Sequence, residues 1–194
     1  MADLEVVVAG GGNAALCAAI TAREKGAAVT LFESAPENMR GGNTRHTRNL
    51  RASHAEPLET LEDSYTEDEF WDDILKVTHG NTDETLTRLM IRQSPLLLSW
   101  LKARDVHFQP ALSGTLSLHR TNAFFLGGGK TLLNKLYSHA EKIGVSVIYD
   151  SEVTSVSISN NRAHSIDVTT ANDTKTYGIK HLIAASGGFQ ANEE

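Results

Sequence analysis

The run Leu4-Glu5-Val6-Val7-Val8-Ala9-Gly10-Gly11-Gly12-Asn13-Ala14-Ala15, followed later by Val29-Thr30-Leu31-Phe32-Glu33, decides how this chain folds. Its first part is apolar and β-branched, the pattern of a strand buried on both faces. Gly10-x-Gly12-x-x-Ala15 then fits the dinucleotide fingerprint, with Ala in the third glycine place. Gly10 permits the tight turn, Gly12 lets backbone N–H groups come close to a diphosphate, and the small Ala15 lets a helix pack closely on the strand. The helix expected from Asn13 to about Lys25 is rich in alanine and stops at Gly26, a residue suited to end it. Its amino end carries partial positive charge, which favours phosphate. A second apolar strand delivers Glu33 about 20 residues past the glycines, where a carboxylate can accept from ribose hydroxyls. A purely structural turn would need only the glycines. Here strand, turn, helix, strand and acid fall in order, which points to an ADP-containing cofactor.

Outward from this unit, 194 residues with 40% hydrophobic content suit one domain, or one domain with a small appendage. A formal net charge of -6 argues against a nucleic-acid partner. The single Cys17 cannot form an internal disulfide, and a reducing, cytoplasmic setting fits it. No signal peptide is expected ahead of the first strand, and no apolar run reaches the length of a membrane span.

After Glu33, the loop Ser34-Ala35-Pro36-Glu37-Asn38-Met39-Arg40-Gly41-Gly42-Asn43-Thr44 leads into a basic stretch holding Arg40, Arg45, His46, Arg48, Arg51 and His54. Two readings stand for these cations. They hold a diphosphate or a polycarboxylate substrate, or they are a solvated loop that balances the acidic segment after it. From Glu56 to about Val106 the sequence is acidic and helical. Thr66-x-x-Glu69 is a capping box before an apolar face of Phe70, Trp71, Ile74 and Leu75. Thr82 or Asp83 opens the next helix, with Leu86, Leu89 and Met90 at helical spacing and expected in the core. Ser94-Pro95 predicts a kink or a further helix running to about Arg104.

Gly127-Gly128-Gly129-Lys130-Thr131 invites comparison with a P-loop, but that motif needs a glycine where Phe124 stands. A glycine turn before a helix from Lys130 to about Lys142 explains the run. No metal-ligand spacing occurs. A strand is expected over Val145–Tyr149, then a meander over Val153–Ser159, Ala163–Thr169 and Lys175–Ile179 with turns at Asn160-Asn161 and Asn172-Asp173. His181-Leu182-Ile183-Ala184-Ala185 then returns to a core-strand pattern ending in Ser186-Gly187-Gly188-Phe189. A meander crossover is more typical of flavin-binding folds than of ordinary NAD domains. The predicted fold is therefore α/β, a Rossmann-like FAD-binding domain of the glutathione-reductase type with a parallel sheet. Residues 1–55 and 127–194 form its core, and residues 56–126 form a mainly helical insertion.

Gly10-Gly11-Gly12-Asn13-Ala14-Ala15, Glu33, Gly41-Gly42-Asn43-Thr44 and Ala185-Ser186-Gly187-Gly188-Phe189 together resemble the flavoprotein family of fumarate reductases and succinate dehydrogenases. Within it, Gly41 through Asn49, Leu75-Lys76-Val77-Thr78, Val106-His107-Phe108-Gln109-Pro110 and Arg120 through Phe125 look most like the tricarballylate dehydrogenase branch. The precorrin-3B synthase flavoprotein shares much of this pattern and competes with it, as does a fumarate reductase-like activity.

The resemblance implies FAD-dependent oxidation of tricarballylate to cis-aconitate, with electrons passing to a membrane-bound iron–sulfur and haem partner. It places Gly10, Gly12, Asn13, Ala14 and Ala15 on the diphosphate and Glu33 with Ser34 at the adenosine ribose. Gly41, Gly42, Asn43 and Thr44 would run along diphosphate and flavin. The backbone of Val153 would reach adenine, and Ala185, Ser186 and Gly187 would line the dinucleotide. His46 and Arg48 are the candidate substrate ligands. In the succinate dehydrogenase branch a histidine tethers the flavin. Asn43 occupies that place here, which implies non-covalent FAD. Family members run more than twice as long, and their capping domain, catalytic arginine and last flavin-contacting glycines lie past the counterpart of residue 194. The expectation is an FAD-binding amino-terminal part inactive alone, with a non-catalytic FAD- or ADP-binding module as the alternative.

Overall fold

The computed structural model describes residues 3–111 and 118–188. Two compact units divide them, one built from the residues up to Arg45 and from Leu133 onward, the other from His46 to Leu132.

The first unit is a six-stranded sheet with the order β5-β2-β1-β8-β7-β6. Its strands are β1 (Leu4–Ala9), β2 (Val29–Phe32), β5 (Ser146–Ile148), β6 (Glu152–Ser159), β7 (Arg162–Thr169) and β8 (Thr174–Ala184). The first four in sheet order run parallel, with Val7 opposite Thr30 on one side and Leu182 on the other. Strands β8, β7 and β6 pair antiparallel. The first unit is thus an α/β fold with a mostly parallel central sheet, as expected.

Helix α1 (Asn13–Glu24) buries Ala15, Leu16, Ala19 and Ile20, a stripe whose two alanines permit close approach while Leu16 and Ile20 contribute about 1.5–3 kcal/mol each by burial. Val7, Phe32, Ile166, Val168 and Ile179 form a core in which meander side chains join those of the parallel strands. Asn160 and Asn161, at φ +49° and +60°, make the two-residue turn between β6 and β7. Asparagine tolerates this left-handed conformation, and the paired positive φ values match the twist of a hairpin.

One expectation is corrected. The last meander strand and the following core strand are a single strand, β8. Only Lys180 separates Ile179 from His181, and it is no turn former. The strand changes partner instead, pairing with β7 through Gly178 and with β1 from Ile179 onward.

The second unit holds α2 (Glu67–Thr78), α3 (Glu84–Lys102) and a two-stranded sheet of β3 (Asn49–Arg51) and β4 (Asn122–Phe124). The capping box forms as expected, with Thr66 Oγ1 accepting from the Glu69 N–H at 3.2 Å and the Glu69 carboxylate accepting from the Thr66 N–H at 3.1 Å. Asp83 caps α3 by accepting from the Leu86 N–H at 2.8 Å.

Pro95 lies inside α3 rather than opening a new helix. Proline cannot donate to the Ile91 carbonyl. The Ser94 hydroxyl donates to that carbonyl at 2.7 Å and the Ser53 hydroxyl at 3.1 Å, and the Ser53 N–H donates to Ser94 Oγ at 3.0 Å. This buried network fixes which face of the helix turns inward: Ile91, Ser94, Leu98 and Leu101. Leu86, Leu89 and Met90, expected in the core, are exposed in consequence.

The remaining helix, α4 (Gly128–Lys142), begins two residues before the predicted start. Gly127 and Gly128 supply the positive φ of its entry turn.

Candidate functional site

The carboxyl ends of β1, β2 and β8 meet at the glycine turn, the side of an open α/β sheet where ligands bind. The three glycines there are glycine for three different reasons. Gly10 has φ +111°, its N–H donates to the Phe32 carbonyl at 2.8 Å, and the neighbouring Ala185 N–H donates to the Ala9 carbonyl at 2.9 Å. A methyl at Gly10 would overlap the Ala185 carbonyl. At Gly11 a methyl would overlap the Glu33 carboxylate and the Tyr137 hydroxyl. Gly12 is different. It caps α1 at φ -76° and ψ -175°, a conformation open to any residue, and a methyl would rest 3.5 Å from Thr44 Oγ1 and 3.7 Å from the Gly41 carbonyl oxygen. The protein alone does not demand glycine at position 12. A backbone that must come close to a diphosphate does.

Around this turn the chain sets a loop and an acid. Thr44 Oγ1 accepts from the Asn13 N–H at 3.0 Å, serving one of the unpaired donors of the helix end. The first turn of α1 itself carries no acidic side chain. Gly41, at φ +98°, packs against Leu133, and its carbonyl accepts from the Thr44 N–H at 3.2 Å, starting the 3-10 turn Gly42–His46.

The Glu33 backbone donates to the Ile148 carbonyl and accepts from the Ser151 N–H. Its carboxylate is only 6% exposed and accepts from the Ala35 N–H at 3.1 Å. Burial pushes its pKa above the usual carboxylate range, while backbone N–H groups of Ala35, Gly11 and Gly41 pull it back down. The acid therefore lies against both glycine segments.

Of the residues expected at the cofactor, Gly10, Gly12, Asn13, Ala14, Ala15, Glu33, Ser34, Gly41, Gly42, Asn43, Thr44, Val153, Ala185, Ser186 and Gly187 all belong to the first unit. Ala15 is fully buried beneath the turn, whereas Ala14, Ser34, Gly42, Asn43, Ser186 and Gly187 are exposed. Val153 is half-buried, two residues past Ser151, whose N–H holds the Glu33 carbonyl at 3.0 Å. Phe189 lies outside the described residues. His46 and Arg48 belong to the second unit, where both are exposed.

The other cations of the basic stretch do structural work that the sequence did not reveal. Arg40 stacks on the Tyr137 ring, 4.1 Å from its centre, and donates to the Tyr149 hydroxyl at 2.6 Å. Arg45 donates to the Asn38 carbonyl at 2.9 Å. In the second unit, Arg51 pairs with Asp73 at 3.4 Å, and the His54 ring lies between the Ala52 and Glu62 carbonyls. Tyr137, fully buried and donating to the Gly11 carbonyl at 2.8 Å, gave no signal beyond an apolar position in a helix.

Comparison with known proteins fits this geometry. Residues 5–194 match the family model described as an FAD binding domain. The NADH:fumarate oxidoreductase of Klebsiella pneumoniae (strain 342) is 29% identical over 97% of this chain, and the vinyl phenol reductase of Lactiplantibacillus plantarum is 25% identical over 98%. The chain spans 21% and 39% of the length of these two relatives. The 3-ketosteroid-Δ4-(5α)-dehydrogenase of Rhodococcus jostii RHA1 superimposes with a TM-score of 0.79 at 20% identity, over 97% of this chain and 47% of that one. What the open Gly12 asks of a ligand and what the match over nearly the whole sequence implies are the same thing: this chain belongs to the FAD binding domain family, and FAD is its cofactor.

Proposed function

We propose that the chain is the FAD-holding part of a flavin-dependent oxidoreductase of the fumarate reductase and succinate dehydrogenase kind, whose reaction is the oxidation of tricarballylate to cis-aconitate. The observation that carries the cofactor half of this reading is Gly12, left open by the protein at the amino end of α1. The substrate half rests on the resemblance of Gly41 through Asn49 and Arg120 through Phe125 to the tricarballylate branch. FAD supplies a two-electron acceptor for a CH–CH bond. The chain's own residues do the holding. Gly10, Gly12 and the first-turn N–H groups of Asn13, Ala14 and Ala15 receive the diphosphate. Glu33 and Ser34 take the adenosine ribose, and the Val153 backbone reaches adenine. Gly41, Gly42, Asn43 and Thr44 run toward the flavin, while Ala185, Ser186 and Gly187 line the dinucleotide. Asn43 offers no nucleophile for a covalent tether, so the flavin is non-covalent. His46 and Arg48 hold substrate carboxylates by charge-assisted hydrogen bonds. Electrons pass to a membrane-bound iron–sulfur and haem partner, with the chain on the cytoplasmic side.

The alternative reading for the polypeptide is a module that binds FAD without turning over. One experiment separates the two. Purified chain is loaded with FAD, its visible spectrum recorded, and tricarballylate added anaerobically. The expected result is weak, acid-extractable flavin that does not bleach, with bleaching restored in a longer form. Bleaching of the 194-residue chain itself establishes the dehydrogenase directly. Bleaching by succinate but not tricarballylate in the longer form moves the substrate to the fumarate–succinate pair, and colourless chain refutes the cofactor assignment.

A further inference from the structure

The Gly11–Gly12 peptide has two glycines at its ends and therefore few steric barriers to turning over. Its orientation matters. In a trans peptide the C=O and N–H point in opposite directions, so one orientation offers the Gly12 N–H to an anion and the other offers the Gly11 carbonyl. The first attracts a diphosphate, and the second repels it.

In the structure the Gly11 carbonyl accepts from the Tyr137 hydroxyl at 2.8 Å, which sends the Gly12 N–H away from Tyr137. Tyr137 has little freedom to let go. It is fully buried on α4, and the Arg40 guanidinium lies 4.1 Å from its ring centre. Arg40 is anchored in turn on the Tyr149 hydroxyl at 2.6 Å. One turn earlier on the same helix face, Leu133 packs on Gly41. A single face of α4 thus fixes both glycine segments of the site. Burial, reinforced by the nearby Glu33 charge, raises the Tyr137 pKa, so the hydroxyl keeps the proton it donates.

We infer that Tyr137 is a positioning residue for the cofactor: its hydroxyl holds the Gly11–Gly12 peptide so that the Gly12 N–H faces the diphosphate, and Arg40 holds Tyr137 in place. This rests on the FAD assignment and goes beyond it.

The test compares ADP with adenosine, which lacks the diphosphate, on the 194-residue chain by NMR titration. Tyr137→Phe keeps the ring stack and removes the hydroxyl. Its dissociation constant for ADP should rise about tenfold, the worth of one hydrogen bond that orients the peptide, with adenosine binding unchanged within about twofold. Arg40→Lys keeps the charge but not the stack and should weaken ADP by about threefold. A merely structural tyrosine would lower the unfolding midpoint and weaken both ligands alike, or neither, and either result overturns the inference. Should Tyr137→Phe not fold, the wild-type chain decides alone: the Gly12 amide proton must shift downfield on adding ADP, and a stationary Gly12 resonance refutes the role. Wild-type chain that binds neither ADP nor FAD overturns the cofactor assignment itself, and the inference falls with it.

Discussion

Replacing Gly12 by alanine should separate folding from binding. At φ -76° and ψ -175° the backbone needs no adjustment, and the new methyl meets Thr44 Oγ1 and the Gly41 carbonyl oxygen at 3.5 and 3.7 Å, ordinary contact distances. Two small effects oppose each other. Alanine is a poorer N-cap than glycine, and it reduces the freedom of the unfolded chain, so stability should stay within about 1 kcal/mol of wild type. Gly10→Ala is the contrast. It forces alanine to φ +111° and drives its methyl into the Ala185 carbonyl, backbone that the Ala185-to-Ala9 hydrogen bond keeps in place. That cost should exceed about 3 kcal/mol. Urea unfolding of the ligand-free chain gives the stabilities, and fluorescence titration gives the FAD affinities. Gly12→Ala should unfold with the wild-type midpoint yet bind FAD at least about tenfold more weakly, about 1.4 kcal/mol. Undiminished FAD affinity would refute a diphosphate against Gly12. A loss of stability matching that of Gly10→Ala would refute the local geometry.

Three further outcomes follow from other parts of the molecule. Ser94→Ala leaves the buried Ser53 N–H without its acceptor and the Ile91 carbonyl with one donor, and chemical denaturation should register a loss of about 1–3 kcal/mol. Thr66→Ala removes the hydroxyl half of the capping box at α2 and should cost about 1 kcal/mol, read as a lower thermal midpoint. Because burial raises the Glu33 pKa above its ordinary 4.5, the folded state takes up a proton more readily than the unfolded one. That stabilising contribution is complete below about pH 4.5 and is lost as the pH rises through the folded value. Urea midpoints across this range should show it in wild type and not in Glu33→Gln, while FAD affinity of the wild type should change with the opposite sign, falling as Glu33 protonates.

The opening β-α-β unit was legible because each step had a local cause: a β-branched run, glycines at fixed spacing, an alanine-rich helix and a terminal acid. The capping box at Thr66 and the asparagine turn at Asn160 were legible for the same reason. What the sequence hid depends on distant partners. Strands β3 and β4 are three residues each, too short to show a period of two, and Asn49 finds Phe124 far along the chain. Leu86, Leu89 and Met90 have helical spacing, yet the hydroxyls of Ser53 and Ser94 decide which face of α3 turns inward. At the site, position 11 is the unspecified place in Gly10-x-Gly12. Only the structure shows that Glu33 and Tyr137 occupy the space its side chain would need. Neither reading open for Arg40, anion ligand or solvated loop, included its place on the Tyr137 ring and the Tyr149 hydroxyl, because such a contact leaves no mark in the local sequence.

The sharing of β8 bears on how a cell makes this protein. Strand β1 is translated long before β8, but Val7 has Leu182 as one of its two neighbours, so the sheet cannot close until the ribosome has released residues near 184. The stretch from His46 to Leu132 is continuous and can fold as it emerges. During that interval β1 presents an unpaired apolar edge, the kind of surface on which chains aggregate. Elongation rate and chaperone supply between His46 and Ala184 should therefore govern soluble yield more than substitutions in the helices already made.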